Sequence, residues 1–153
     1  MIWGNTCKTY LEPIHILQKK FVRMATFKDG YPTIPGPLTH TPPLFNKLKI
    51  LTIYEIFKLQ LGLLVFESIN NIGPSNNLIK FTMVSEVYNH ETRYAYHGNF
   101  YINSARTIRY GVKGLKIEGA KLWTTIPNDI KKSRTKKTFK SRLKKHMIDS
   151  YGN

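Results

Sequence analysis

Cysteine is almost missing from this sequence: Cys7 stands alone, so one copy of the chain can build neither a disulfide framework nor a zinc site resting on several thiolates. Acidic residues are also scarce, nine against 24 lysines and arginines, and the three aspartates, Asp29, Asp129 and Asp149, are far apart. Two-metal phosphoryl transfer needs neighbouring carboxylates to hold cations about 4 Å apart, and that arrangement is lacking. His15, His40, His90, His97 and His146 show no HExxH or related ligand spacing, so no metal site is expected. The sequence contains no GxGxxG or GxxxxGK[ST] phosphate loop and no GxSxG elbow. Cys7 and His15 would share one helix without a third group to orient them. The expectation is therefore a protein with no catalytic residues and no cofactor of its own.

Clean hydrophobic runs are lacking too. Residues 50–69 are long enough to span a bilayer but contain Glu55, Lys58, Gln60 and Glu67, which are costly in hydrocarbon. A buried helix is expected there, and no membrane partner. The first residues, Met1-Ile2-Trp3-Gly4-Asn5-Thr6, have no basic stretch followed by an apolar one, so the expected location is intracellular, nuclear or cytoplasmic.

What the sequence does have is positive charge. A formal net charge of +15 on 153 residues is the electrostatic footprint of a chain that meets polyanions. A chain of about 150 residues hides roughly 70% of its unfolded surface, enough for one small domain. The expected class is mainly α, a single small helical domain with a β-hairpin or short-strand insertion.

Residues 1–28 read as a basic amphipathic helix over 11–27, with Pro13 in its first turn. Ile14, Leu17, Phe21 and Met24 would face inward, while His15, Lys19 and Arg23, with Lys20 nearby, would face out. Residues 29–43 form a connector dense in proline and glycine. Residues 44–130 should be a helical core, beginning with a short helix over 44–48. Thr52 and Glu55 have the capping-box spacing for the next helix, which should run to Ile69 and stop at Asn70-Asn71-Ile72-Gly73-Pro74. Between about 94 and 117, aromatic and β-branched residues broken by glycine suggest short strands. A short helix over 120–125 carries Trp123, assigned to packing.

The last segment, 131–153, should be a basic helix. Nine of the fifteen residues from 131 to 145 are Lys or Arg, none is acidic, and Phe139, Leu143 and Met147 recur every four residues as an apolar stripe.

Several short motifs occur in a telling order: Trp3-Gly4; Leu17-Gln18-Lys19-Lys20 with Arg23; His40-Thr41-Pro42-Pro43-Leu44-Phe45 with Leu48 and Leu51; His90-Glu91-Thr92-Arg93; Gly119-Ala120-Lys121-Leu122-Trp123 with Ile126-Pro127 and Ile130; Thr138-Phe139-Lys140 with Leu143-Lys144. Together they cover nearly the whole chain. The set resembles the region that follows the polymerase core in reverse transcriptases of jockey-like non-LTR (LINE-type) retrotransposons. Thr124 stands where that family has asparagine in its Leu-Trp-Asn element, and the proline-rich connector is unusual for it.

The resemblance implies a C-terminal piece of an RNA-directed DNA polymerase, without the fingers, palm and paired aspartates that do the chemistry. It implies an accessory role, holding template RNA or target DNA, with the upstream polymerase core as a second possible partner. Lys131, Lys132, Arg134, Lys136, Lys137, Lys140, Arg142, Lys144 and Lys145 are the expected phosphate contacts, with Lys19, Lys20, Arg23 and Arg93 as further candidates. Arg93 suits either a phosphate or a structural capping role. Tyr94, Tyr96, Phe100 and Tyr101 suit either base stacking or the core of a small sheet. Two other readings remain open: a module that docks on another polypeptide, and a relic without function.

Overall fold

Helices account for most of what the computed structural model describes, namely residues 6–27, 41–72, 79–88, 92–96, 98–102 and 114–150. In chain order they are α1 (Lys8–Phe27), α2 (Pro42–Leu48), α3 (Ile53–Ile69), α4 (Val84–Val87), α5 (Arg93–Tyr96), α6 (Leu115–Thr125), α7 (Asn128–Lys131) and α8 (Lys136–Asp149). The mainly α expectation is met. Among the described residues no helix is long and apolar enough to cross a membrane. The chain divides into two compact units, one of residues 2–57 with 144–153 and the other of residues 58–143.

In the unit containing residues 2–57, α1 begins three residues earlier than its apolar pattern suggested, with the Tyr10 amide bonded to the Cys7 carbonyl at 3.0 Å. Pro13 thus falls in the second turn, where its missing N–H leaves the Thr9 carbonyl without its helical donor. The burial of α1 is opposite to the expected one. Leu11, Val22 and Thr26 are buried, with His15 and Gln18 half-buried beside them, whereas Ile14, Leu17, Phe21 and Met24 face solvent.

Gln18 shows why. Its amide nitrogen donates to the Leu51 carbonyl at 2.8 Å, and its amide oxygen accepts from the Ile53 backbone N–H at 3.0 Å. Ile53 opens α3, so its N–H has no intrahelical acceptor and takes the glutamine instead. His15 lies against the rings of Phe45 and Tyr54, at centroid distances of 6.4 and 5.1 Å. Val22 packs with Leu44 and Phe45 in a small core edged by Leu48 and Ile50. These partners hold α1 by the face that carries Gln18.

Helix α3 starts on the expected box: the Thr52 N–H donates to Glu55 Oε2 at 3.1 Å, and the Glu55 N–H to Thr52 Oγ1 at 3.4 Å. Its end also lies where expected. Asn71 takes the left-handed conformation at φ 52°, and the Ile72 N–H reaches back to the Glu67 carbonyl at 2.9 Å. Within the unit of residues 58–143, every α3 residue from Leu61 to Phe66 is buried. Two glycines permit close packing around it. A Cβ on Gly62 would lie 2.9 Å from Leu143 Cδ2, and one on Gly119 would lie 3.0 Å from Val65 Cγ2 and 3.1 Å from Phe81 Cζ.

The aromatic rings of this unit form a chain. Phe66 stacks on Phe139 at 4.5 Å, Phe139 on Trp123 at 6.0 Å, Trp123 meets Phe100 at 5.9 Å, and Phe100 meets Phe81 at 4.8 Å. Such pairs add about 0.5–1.5 kcal/mol each beyond area burial. Trp123 is a packing residue, as expected.

The strand insertion expected over 94–117 is not seen among the described residues. One antiparallel bridge, Met83 to Phe100, is present, with the Tyr101 N–H bonded to the Thr82 carbonyl at 2.8 Å. Tyr94 and Tyr96 lie in the helical turn α5, and residues 115–117 open helix α6. The cause at α5 is local: Thr92 Oγ1 accepts the Ala95 N–H at 3.1 Å, starting a helical turn where the tyrosine alternation suggested a strand. Gly98, at φ +61°, then reverses the chain. The expected strand residues Thr107-Ile108-Arg109-Tyr110 lie outside the described residues, as do Trp3, Gly4, His90, Glu91 and residues 29–40 of the expected connector, whose last two residues, Pro42 and Pro43, instead open α2.

Candidate nucleic-acid interface

The basic segment is built on a bend. Pro127, in extended conformation, precedes α7, and the Lys131 N–H closes that short turn on the Pro127 carbonyl at 3.2 Å. The buried Ser133 hydroxyl then donates to the Ile130 carbonyl at 2.6 Å. Thr135 caps α8 by accepting the Thr138 N–H on Oγ1 at 3.2 Å. A continuous basic helix from residue 131 was expected. Instead α8 begins at Lys136, because Ser133 and Thr135 spend their hydroxyls on the backbone of the bend. Residues 151–153 lie outside the described residues.

On α8 the apolar stripe is where its spacing put it: Phe139, Leu143 and Met147 are buried, joined by Ile148. That orientation fixes the rest. Lys137, Lys140 and Lys144, at helix positions i, i+3 and i+7, share one exposed ridge about 10 Å long, and Arg142 and Lys145 form a second exposed pair beside it. The first turn of α8 has no acidic residue, and Lys136 and Lys137 stand at the positive end of the helix dipole. Like charges there destabilise the helix end, and an anion bound nearby offsets the cost.

Not all nine basic residues of the segment are free. Lys136 lies three residues before Phe139, on the same side of the helix as the stripe, and its ammonium pairs with the Glu67 carboxylate of α3. Arg142 Nη1 donates to the Asp129 carbonyl at 3.3 Å. Lys131 is half-buried with its ammonium 5.6 Å from the centre of the Trp123 ring, and that desolvation lowers its pKa. Lys132 and Arg134, on the bend, are exposed.

The remaining candidates sit on other elements. Arg93 is the exposed first residue of α5. On α1, Lys20 is exposed and Lys19 half-buried, while Arg23 Nη2 donates to the Thr41 hydroxyl at 3.2 Å and so has a structural use. Of the aromatic candidates for base stacking, Phe100 is fully buried and Tyr101 is half-buried with its edge on Tyr88 at 5.8 Å, whereas Tyr94 and Tyr96 are exposed. Glu67 and Asp129, which engage two of the cations, were not anticipated. The spacing of Lys136 relative to Phe139 was the available signal for the first of them.

Among the described residues no group of three or more His, Cys, Asp or Glu side chains could hold a metal ion. Comparison of the chain with protein-family models, curated proteins and solved structures gives no match.

Proposed function

We propose that this chain is a nucleic-acid-binding accessory region that lays α8 along the phosphates of RNA or DNA. The observation that carries the reading is the ridge of Lys137, Lys140 and Lys144, exposed on a helix that Phe139 and Leu143 anchor in the core. Lys132, Arg134 and Lys145 extend the positive surface at either end. Contacts of this kind supply affinity and register without reading sequence, and they release condensed counterions.

In this reading the chain corresponds to the post-polymerase region of a non-LTR retrotransposon reverse transcriptase. It contributes no catalytic group of its own, acts inside the cell in nucleus or cytoplasm, and works beside the polymerase core. Support comes from the ordered motifs of the sequence and from the basic ridge.

The test is the salt dependence of binding. If about six cations engage a duplex, log K falls against log salt with a slope near −5, about −0.9 per contact. Replacing Lys137, Lys140 and Lys144 together by glutamate should abolish binding at moderate salt. A slope near zero, or a triple variant that binds as the parent does, overturns the proposal.

A further inference from the structure

Helix α1 carries a second apolar face that is exposed among the described residues. Tyr10, Ile14, Leu17, Phe21 and Met24 are between 50% and 74% exposed, while the adjacent face of the helix, about a quarter-turn round, holds Leu11, Gln18 and Val22 in place. Full burial of a large apolar side chain is worth about 1.5–3 kcal/mol, so a stripe of five exposed ones is a sizeable unused driving force.

The spacing specifies the shape of what would cover it. The steps between the five residues are four, three, four and three, the alternation that keeps a seam facing a partner helix in a coiled coil. The seam runs about 21 Å along the axis, and Lys20 separates it from Ile16, the other exposed apolar residue of the helix at 43%, so a charge interrupts the broad apolar arc with which a helix lies in a bilayer surface. A strand would pair through backbone groups that α1 has already used internally.

Charge specifies the rest. Lys20 is exposed between Leu17 and Phe21 at the border of the seam, and Lys8 is exposed at the start of the helix. The one acidic residue of α1, Glu12, accepts a 2.9 Å hydrogen bond from the Tyr54 hydroxyl. A second copy would bring another net charge of +15 to the same face. We infer that α1 docks an acidic amphipathic helix of another protein, with that helix's apolar seam on the stripe and its carboxylates flanking Lys20. This goes beyond the phosphate-binding role of α8 and does not depend on it.

The probes are two synthetic three-heptad helices with leucine at the seam, one flanked by glutamate and the other by lysine. Titrated into the full chain, the glutamate helix should bind, and the lysine helix about tenfold or more weaker. Leu17→Glu and Lys20→Glu should each weaken the glutamate helix by about tenfold or more while leaving the far-ultraviolet circular dichroism unchanged. Lys20→Glu alters only an exposed charge, so it keeps the test decisive even if Leu17→Glu perturbs the fold.

Four outcomes overturn the inference. The two helices bind equally; neither binds; sedimentation shows a dimer of the chain that Leu17→Glu returns to monomer, making a second copy the occupant; or vesicles of anionic phospholipid bind through the stripe and displace the glutamate helix.

Discussion

The Lys136 ammonium, at the start of α8, is paired with the Glu67 carboxylate near the end of α3. Glu67 is largely shielded from solvent, with side-chain exposure of 13%, whereas Lys136 remains half-exposed at 51%. The pair ties the first turn of the basic helix to the helix beneath it. It also takes from the proposed phosphate-binding set one lysine that composition alone would count.

Lys136→Ala should therefore act on stability and Lys140→Ala on binding. Removing Lys136 leaves a shielded carboxylate without this partner, a cost of about 1–2 kcal/mol, between that of surface and buried pairs. Urea denaturation should show that loss, with the salt slope of nucleic-acid binding unchanged. Lys140→Ala should leave the urea midpoint in place and make the slope shallower by about 0.9. The reverse pattern would mean that the two lysines have exchanged roles.

Gln18→Leu and Leu17→Gln should have opposite consequences despite being neighbours. The first leaves the Leu51 carbonyl and Ile53 N–H without their side-chain partner, costing about 1–3 kcal/mol. The second replaces an exposed leucine and should change stability by no more than about 0.5 kcal/mol. Thermal midpoints of the two variants decide which face of α1 is buried.

Gly119→Val should destabilise residues 58–143 by overpacking. Even a Cβ at this position meets Val65 and Phe81 at about 3 Å, so these side chains must shift to admit a larger residue. Overpacking of this kind costs about 1–3 kcal/mol, more than any helix propensity gained over glycine returns. A denaturation midpoint equal to the parent's would show that α6 can move away from α3.

Phe139→Ala removes the ring between Phe66 and Trp123 and should cost about 3–5 kcal/mol. Because α8 is held by this residue, nucleic-acid affinity should fall with the folded fraction. Phe139→Leu, which keeps most of the volume, should retain binding in a filter or anisotropy assay at temperatures where it remains folded.

Lys131 gives a pH prediction. Burial lowers its folded-state pKa below the ordinary 10.5, so the unfolded chain holds this proton more tightly. The penalty is present below the folded pKa and is relieved as pH rises from there towards 10.5. Stability of the parent relative to Lys131→Gln should thus rise with alkaline pH over that window. Tyr54 acts in the other direction: desolvation, then its hydrogen bond to Glu12, raises its pKa above 10.0, so its contribution is lost as pH rises from 10.0 through that raised value. The comparison with Lys131→Gln isolates the lysine, and a flat difference between the two titrations would count against it.

Much of the local structure was legible because its causes lie within a few residues. Thr52 and Glu55 are three apart and bond each other's backbone, so the start of α3 follows from spacing alone. Asn71 could end that helix because asparagine tolerates the left-handed conformation. Phe139, Leu143 and Met147 announced both the helix and its buried side, and with them the exposed lysine ridge. The tyrosine alternation at 94 and 96 misled because a single hydroxyl, that of Thr92, outweighed a pattern only two residues long.

By itself the sequence determined the helical class, both ends of α3, the positive charge and the side of α8 that faces water, all set by periodicity and by groups close along the chain. The tertiary structure decided which of two apolar faces α1 buries. It also decided which basic residues of the 131–145 segment are engaged by Glu67, the Asp129 carbonyl and Trp123. The physical reason is separation: Gln18 finds its partners 33 and 35 residues away. No period within α1 records where those unsatisfied backbone groups will lie once α2 and α3 have packed.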